Sequence, residues 1–156
     1  MSPKESKDSK IKTRLSLIEN TNYQFNITFD IPVADIIVDE TAEIGGDGMG
    51  PNPSRLLSTA IANCLSASLL FCLRKARVEI KSLDAEITTT IGRDHEGYLR
   101  IKAADVSILP KFASNDSNDP KKIERCEKLF EKYCVVTESV RKGIPVTVEI
   151  KRDNLT

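Results

Sequence analysis

Cysteine is the residue type in this chain with the widest reach in chemistry, and there are four: Cys64, Cys72, Cys126 and Cys134. A thiol reacts as its thiolate, and a free cysteine has a pKa of about 8.5. A working cysteine therefore needs a cation, a helix N-terminus or a metal ion beside it. No Cys-x-x-Cys occurs, and both close pairs are eight residues apart. On one helix that spacing is roughly 12 Å of rise, too far for one metal ion, so no metal site is expected. Cys64 stands eleven residues after Pro53, roughly 16 Å along a helix that begins there, beyond the reach of its dipole. Cys134 instead falls where a helix is expected to start, and the backbone N–H groups there favour a thiolate. Against both stands the plainer reading that a cysteine in an apolar helix is a small packing residue. The single histidine, His95, lies in the charged turn Arg93–Gly97 and is expected to be solvated.

The elements that must position these thiols are readable from periodicity. Ile11, Thr13, Leu15 and Leu17 alternate with polar residues, as do Tyr23, Phe25, Ile27 and Phe29, which predicts two strands joined around Asn20-Thr21-Asn22. Ile36-Ile37-Val38 predicts a short third strand. The run from Gly45 to Pro51 interrupts regular structure. It lacks the Gly-Lys-Ser/Thr ending of a phosphate loop and fits no dinucleotide fingerprint. Asn52-Pro53 supplies a cap and a favoured first residue for a helix expected to reach about Arg77. Leu57, Ile61, Cys64, Ser68 and Phe71 share one face of it by the 3.6 period, with Thr59, Asn63 and Ser66 as a polar stripe beside them.

A long strand follows, with Leu83, Ala85, Ile87, Thr89 and Ile91 on one face. It returns through the turn at His95 into Leu99, Ile101 and Ala103, and on toward Val106 and Ile108. Residues 110–119 read as a polar loop. Asp119-Pro120 opens a second helix, a short third helix starts at Cys134 and ends at Gly143, and Ile144, Val146, Val148 and Ile150 predict a closing strand. The order is α+β with antiparallel pairing. Residues 1–10 read as a disordered polar tail and 11–152 as one domain.

Twenty-three basic residues balance twenty-three acidic ones, which excludes the electrostatic footprint of a nucleic-acid binder. The zero hides a segment, residues 15–54, with seven acidic groups and no Lys or Arg. Met1–Lys10 has no apolar stretch of the kind a secretion signal needs, so a cytoplasmic place and four reduced thiols are expected. Leu56–Leu73 is free of charge for 18 residues, the lower edge of a membrane-span signal. Its serines, Thr59 and Asn63 favour a helix buried on nearly all sides, and a chain this size would need a homodimer to bury it.

The stretch GGDGMGPNPSRLLSTAIANCLSASLLFCLRK resembles the central segment of the OsmC/Ohr family, with its Gly-rich lead, Asn-Pro helix start and cysteine on the central helix. RCEKLFEKYCVVTESVRKGIPVTVEI resembles that family's second-cysteine segment and closing strand. The resemblance covers residues 36–150 and fits a divergent branch of the family. It implies an OsmC-like fold, with antiparallel sheets around a long buried central helix in an intertwined homodimer. It further implies a peroxiredoxin-like reduction of organic hydroperoxides in the oxidative stress response. Cys64 would be the peroxidatic thiol and Cys134 the resolving one, with a dithiol reductant as partner and no cofactor. Ser54 stands where the family's peroxidases carry Glu, Val135 where many members have Pro, and the upstream Arg is missing from 15–54. The resemblance therefore leaves Arg14 and Arg55 as candidate cations beside Ser54. Two other readings stay open on the same fold: a non-enzymatic binder of an apolar ligand, and a thiol redox sensor.

Overall fold

The computed structural model describes residues 8–113 and 119–152. Most of the expected polar tail, and residues 114–118 of the expected polar loop, lie outside them. The chain forms two compact units, Met1–Leu57 and Ser58–Thr156.

In the first unit, β1 (Thr13–Leu17), β2 (Phe25–Phe29) and β3 (Ile36–Val38) form an antiparallel sheet in chain order. Leu17 faces Phe25 across the first hairpin, and Phe25 faces Val38 across the second pair. Asn20 takes a left-handed conformation, φ 60°, in the turn where an asparagine tolerates it.

The Gly-rich run is held from within. Buried Asp39 accepts hydrogen bonds from the backbone N–H groups of Glu40 (2.8 Å), Asp47 (3.0 Å) and Met49 (3.1 Å). Two of those donors belong to the run itself, so they are already committed to a carboxylate of the same chain. A Cβ on Gly46 would fall onto the carbonyl oxygen of Glu40, and one on Gly50 onto that of Ile37. Glycine is required at both positions by this close approach. Burial raises the Asp39 pKa, but the N–H groups of Met49, Glu40 and Asp47 outweigh it and hold the carboxyl below its ordinary value. A depressed carboxyl pKa contributes stability above the unfolded pKa, and this is lost as the pH falls through the folded one. Asp39→Asn should therefore lower the melting temperature at neutral pH, and the gap from the parent should close in acid. A gap of constant size from neutral to acid pH would disprove the anchor.

α1 (Pro53–Lys75) begins as its sequence dictates, with the Arg55 N–H donating to the Asn52 side chain at 3.0 Å. It ends two residues before the expected Arg77. Arg77 itself turns left-handed, φ 60°, while the Val78 N–H reaches the Leu73 carbonyl at 2.9 Å. That is a Schellman closure with arginine in glycine's usual place.

In the second unit, β4 (Ile80–Arg93) and β5 (Leu99–Phe112) make one long antiparallel ribbon. Thr90 faces Ala103 and Ile91 faces Ile101, which leaves Lys102 as an extra residue. This bulge explains why the apolar phase of β5 moves from odd to even positions, so that Ala104, Val106 and Ile108 continue the face begun by Ile101. The expected odd-phase placement of Ala103 is thereby corrected. α2 (Pro120–Leu129) starts with the Asp119 side chain accepting from the Lys121 N–H, as the Asp-Pro pair predicts. A 3-10 turn, Phe130–Tyr133, leads into α3 (Val135–Lys142), which stops at Gly143.

Three expectations need correction. First, the buried stripe of α1 is Ile61, Leu65, Ser68, Leu69 and Leu73, whereas Phe71 is exposed. The stripe drifts around the axis because the core below is built by Leu73, Val78 and Cys126 with Ile108 and Phe112. Within one chain α1 is therefore covered on one side and not all round, although it has the length and hydropathy of a membrane span. Second, residues 144–150 form no strand. Ile144, Val146, Val148 and Ile150 are all highly exposed, because a strand forms only where an edge is available to pair with. Third, the four cysteines are not all thiols: Cys72 and Cys126 are joined in a disulfide, with Cα atoms 5.5 Å apart. His95 sits exposed in the β4–β5 turn, as its charged neighbours predict.

Candidate functional site

Cys64 and Cys134, seventy residues apart in sequence, come together in the second unit, close enough for each thiol to shift the pKa of the other. Cys64 is half-buried midway along α1, and Cys134 is 1% exposed. The 3-10 turn sets Cys134 in place, with its N–H bonded to the Glu131 carbonyl at 3.0 Å. Tyr133, just before it, packs edge-to-face on Phe71 of α1 with ring centres 6.2 Å apart. Cys134 has extended backbone angles and caps α3. Its Sγ accepts from the Thr137 N–H at 3.4 Å and lies 3.0 Å from Thr137 Oγ1. Ser68, one turn beyond Cys64 on α1, adds a hydroxyl to the same sulfur.

These contacts separate the two thiols electrostatically. Burial pushes the Cys134 thiol up, but hydrogen bonds from Cys64, Thr137 and Ser68 more than offset it and bring its pKa below the ordinary value. Burial and the neighbouring Cys134 push the Cys64 thiol up, against weaker help from the N–H groups of Val136 and Val135. The first proton lost by the pair therefore leaves the charge on Cys134 with Cys64 as its donor. A lowered Cys134 pKa stabilises the fold above the ordinary cysteine value, and that contribution fades as pH falls through the folded pKa.

Thr137, which bonds Cys134, also lines a cavity of about 470 Å³ whose lining includes neither Cys64 nor Cys134. It is lined by Ile61 and Leu65, which flank Cys64 on α1, by Val106 and Ile108 of β5, and by Thr137, which touches Cys134. Arg141 also borders it, bound to Glu131 at 2.6 Å and Glu138 at 3.0 Å. The chamber is thus apolar on its α1 and β5 walls, with a charged cluster where α3 meets the 3-10 turn.

The residues expected from sequence divide cleanly. Cys64 and Cys134 come together. Arg14 lies exposed in β1, and Ser54 and Arg55 lie in the first turn of α1, all three in the first unit. Glu43 is held below its usual pKa mainly by the Thr41 hydroxyl, with a smaller share from Arg55. Periodicity puts Ser68 on the Cys64 face of α1, but nothing in the sequence marks it or Arg141 as part of the site. A signal for Thr137 exists: a cysteine at N-cap with threonine three residues on has the spacing of a capping box.

The family model described as OsmC-like protein matches residues 45–149. The chain belongs to the OsmC-like family. Its fold is shared with an OsmC-like protein of unknown function from Vibrio cholerae, at TM-score 0.72 and 13% identity over 85% of this chain and 94% of that one. An OsmC-like protein from Mycoplasma pneumoniae matches at TM-score 0.68 and 16% identity, over 86% and 89% of the two chains. An organic hydroperoxide resistance protein from Legionella pneumophila matches at 0.61 and 11%, over 87% and 92%. Among curated proteins, none matches significantly by sequence.

In this OsmC-like protein the donors around Cys134 can be tested singly. In a Cys64→Ser background Cys134 is the one thiol left to titrate, since Cys72 and Cys126 are bonded. Thr137→Val removes the hydroxyl and should raise the Cys134 pKa, read from ultraviolet thiolate absorbance against pH. An unchanged midpoint would show that Thr137 does not stabilise the thiolate.

Proposed function

We propose that this OsmC-like protein is a thiol-dependent reductase of organic hydroperoxides, in which Cys64 attacks the peroxide and Cys134 resolves the product. The observation that carries this reading is the meeting of Cys64 and Cys134, with Thr137, which bonds Cys134, also lining a cavity whose α1 and β5 walls are apolar. Cys64 is the more accessible sulfur, so it meets the substrate. Cys134 carries the charge, so it takes the Cys64 proton as attack begins. Cys64 thiolate then displaces alkoxide from the O–O bond and becomes a sulfenic acid. The alkoxide recovers the proton from Cys134 and leaves as alcohol. Cys134 thiolate next attacks the Cys64 sulfur, forming the disulfide and releasing hydroxide. A dithiol reductant returns both thiols, and a reducing compartment such as the cytoplasm keeps them ready. The apolar walls suit an alkyl or lipid-like hydroperoxide.

A homodimer belongs to this reading. The exposed Phe71 side of α1 and the unpaired segment 144–150 would both be covered by a second copy. In that assembly, Arg14 or Arg55 of one copy could stand near Cys64 of the other.

Intact mass measurement and peptide mapping after peroxide treatment test the chemistry. The expected product has Cys64 and Cys134 joined with loss of two hydrogens. Two free thiols after stoichiometric peroxide would sink the two-cysteine mechanism. The cavity also favours a second reading, a binder of apolar ligands in which the two cysteines are packing residues. Steady-state peroxide consumption with a dithiol separates them, since a binder gives no turnover. Oxidation without turnover would indicate a redox sensor.

A further inference from the structure

The proposed reaction leaves the Cys72–Cys126 disulfide unused. The bond joins α1 to α2 and borders a second cavity, of about 340 Å³. Three cations line this cavity and no carboxylate does: Lys75 follows Cys72 by one turn of α1, and Lys122 and Arg125 precede Cys126 on α2. None of the three is in an ion pair among the described residues, and Lys75 stands 5.9 Å from the centre of the Phe71 ring. The two sulfurs differ in access, since Cys72 is half-buried and Cys126 only 2% exposed. A core bridge serving stability alone needs neither a cavity at its sulfurs nor a ring of unneutralised charge around that cavity.

We propose that Cys72–Cys126 is a second thiol–disulfide exchange site, whose co-reactant is a small thiol bearing carboxylates. The cations gather the anion and raise its local concentration at the bond. Its thiolate attacks the Cys72 sulfur, the Cys72–Cys126 bond breaks, and Cys126 leaves as a thiolate. Lysine and arginine beside a departing thiolate stabilise it and so speed its departure. A second molecule of the same thiol attacks its own sulfur in the mixed disulfide and frees Cys72. The balance is two small thiols oxidised to their disulfide and one protein disulfide reduced to two thiols. In this protein, α2 would be unclamped from α1 by reduction and clamped again by oxidation.

The experiment uses the full chain carrying Cys64→Ser and Cys134→Ser, so that only this pair can exchange. The oxidised protein is treated with glutathione (net negative), 2-mercaptoethanol (neutral) or cysteamine (cationic). Reduction is followed by alkylation and mass measurement, and rates are compared per thiolate. Glutathione should react at least about tenfold faster than the neutral thiol, and cysteamine slower than either. High salt should erase most of the difference, and Lys122→Glu with Arg125→Glu should reverse it. Equal rates for the three thiols, or a bond that yields only on unfolding, would overturn the proposal. So would Cys72 and Cys126 remaining free after mild oxidation. The salt series on the parent protein decides the matter even if the charge-reversed variant fails to fold. None of these outcomes depends on whether Cys64 and Cys134 reduce peroxides.

Discussion

Cys64→Ser should abolish hydroperoxide turnover, while Cys134→Ser should leave a slower single round that stops at a sulfenic acid on Cys64. The asymmetry follows from the positions of the two sulfurs. Cys64 is half-buried and meets solvent, whereas Cys134 is 1% exposed under the donors of Thr137 and Ser68. A serine hydroxyl at 64 has neither the nucleophilicity nor the polarisability of sulfur, so the loss should exceed roughly 10³-fold. A serine at 134 still fills the space but cannot hold the negative charge that accepts the Cys64 proton. Losing a positioned base costs about 10²–10⁴-fold. The first round should therefore slow by that order, and a sulfenic-specific probe should label Cys64. Turnover surviving in Cys64→Ser would assign the attack elsewhere. An unslowed first round in Cys134→Ser would remove Cys134 from the proton transfer while leaving it the resolving role.

The second large effect belongs to stability. Leu73 is fully buried in a cluster with Leu69, Val78 and Cys126, and Ile80, Leu83, Ile108 and Phe112 pack against that cluster. Truncation leaves a void that these neighbours, fixed by strand pairing and a disulfide, fill poorly. Leu73→Ala should cost about 3 kcal/mol by denaturant titration, and about 10 °C in Tm for a chain this long. A loss below about 1 kcal/mol would mean that the site collapses and that the α1–ribbon packing is loose. Phe71→Ala, on the exposed side of the same helix, serves as the comparison and should cost clearly less in the isolated chain.

Local features of this chain were readable because they act locally. Asn52-Pro53 and Asp119-Pro120 carry capping chemistry within three residues, and both helices start there. Cys134 also stands at the helix start that the sequence predicts, with its sulfur bonded to the Thr137 N–H. The β5 phase change was visible in Ile101, Val106 and Ile108, but the bulge at Lys102 that causes it depends on pairing with β4. The partners of Cys134 were harder to see. Ser68 reaches it from another helix, and a helical serine carries no spacing rule that marks it as a donor. Cys72 and Cys126 stand 54 residues apart on two helices, and no spacing rule joins them. Segment 144–150 has the alternation of a strand, yet alternation names a face and supplies no neighbour. Arg14 and Arg55 are candidates only because they flank the stretch, residues 15–54, from which the family's upstream Arg is missing. The arginine bordering the cavity is Arg141, seven residues past Cys134.

The repeated eight-residue spacing also has a consequence for chain topology. Cys64 pairs across to Cys134 and Cys72 to Cys126, so the two links are nested like successive rungs of a ladder. With the inner rung shut, the segments between the rungs form a ring of about 18 residues in place of an open loop of about 70. Loop closure then costs roughly 1.2 kcal/mol less, equivalent to about eightfold in the concentration of one outer thiol around the other. A chain that has lost its packing but kept the inner link would still hold Cys64 and Cys134 as near neighbours, which biases oxidation during refolding toward the native partners.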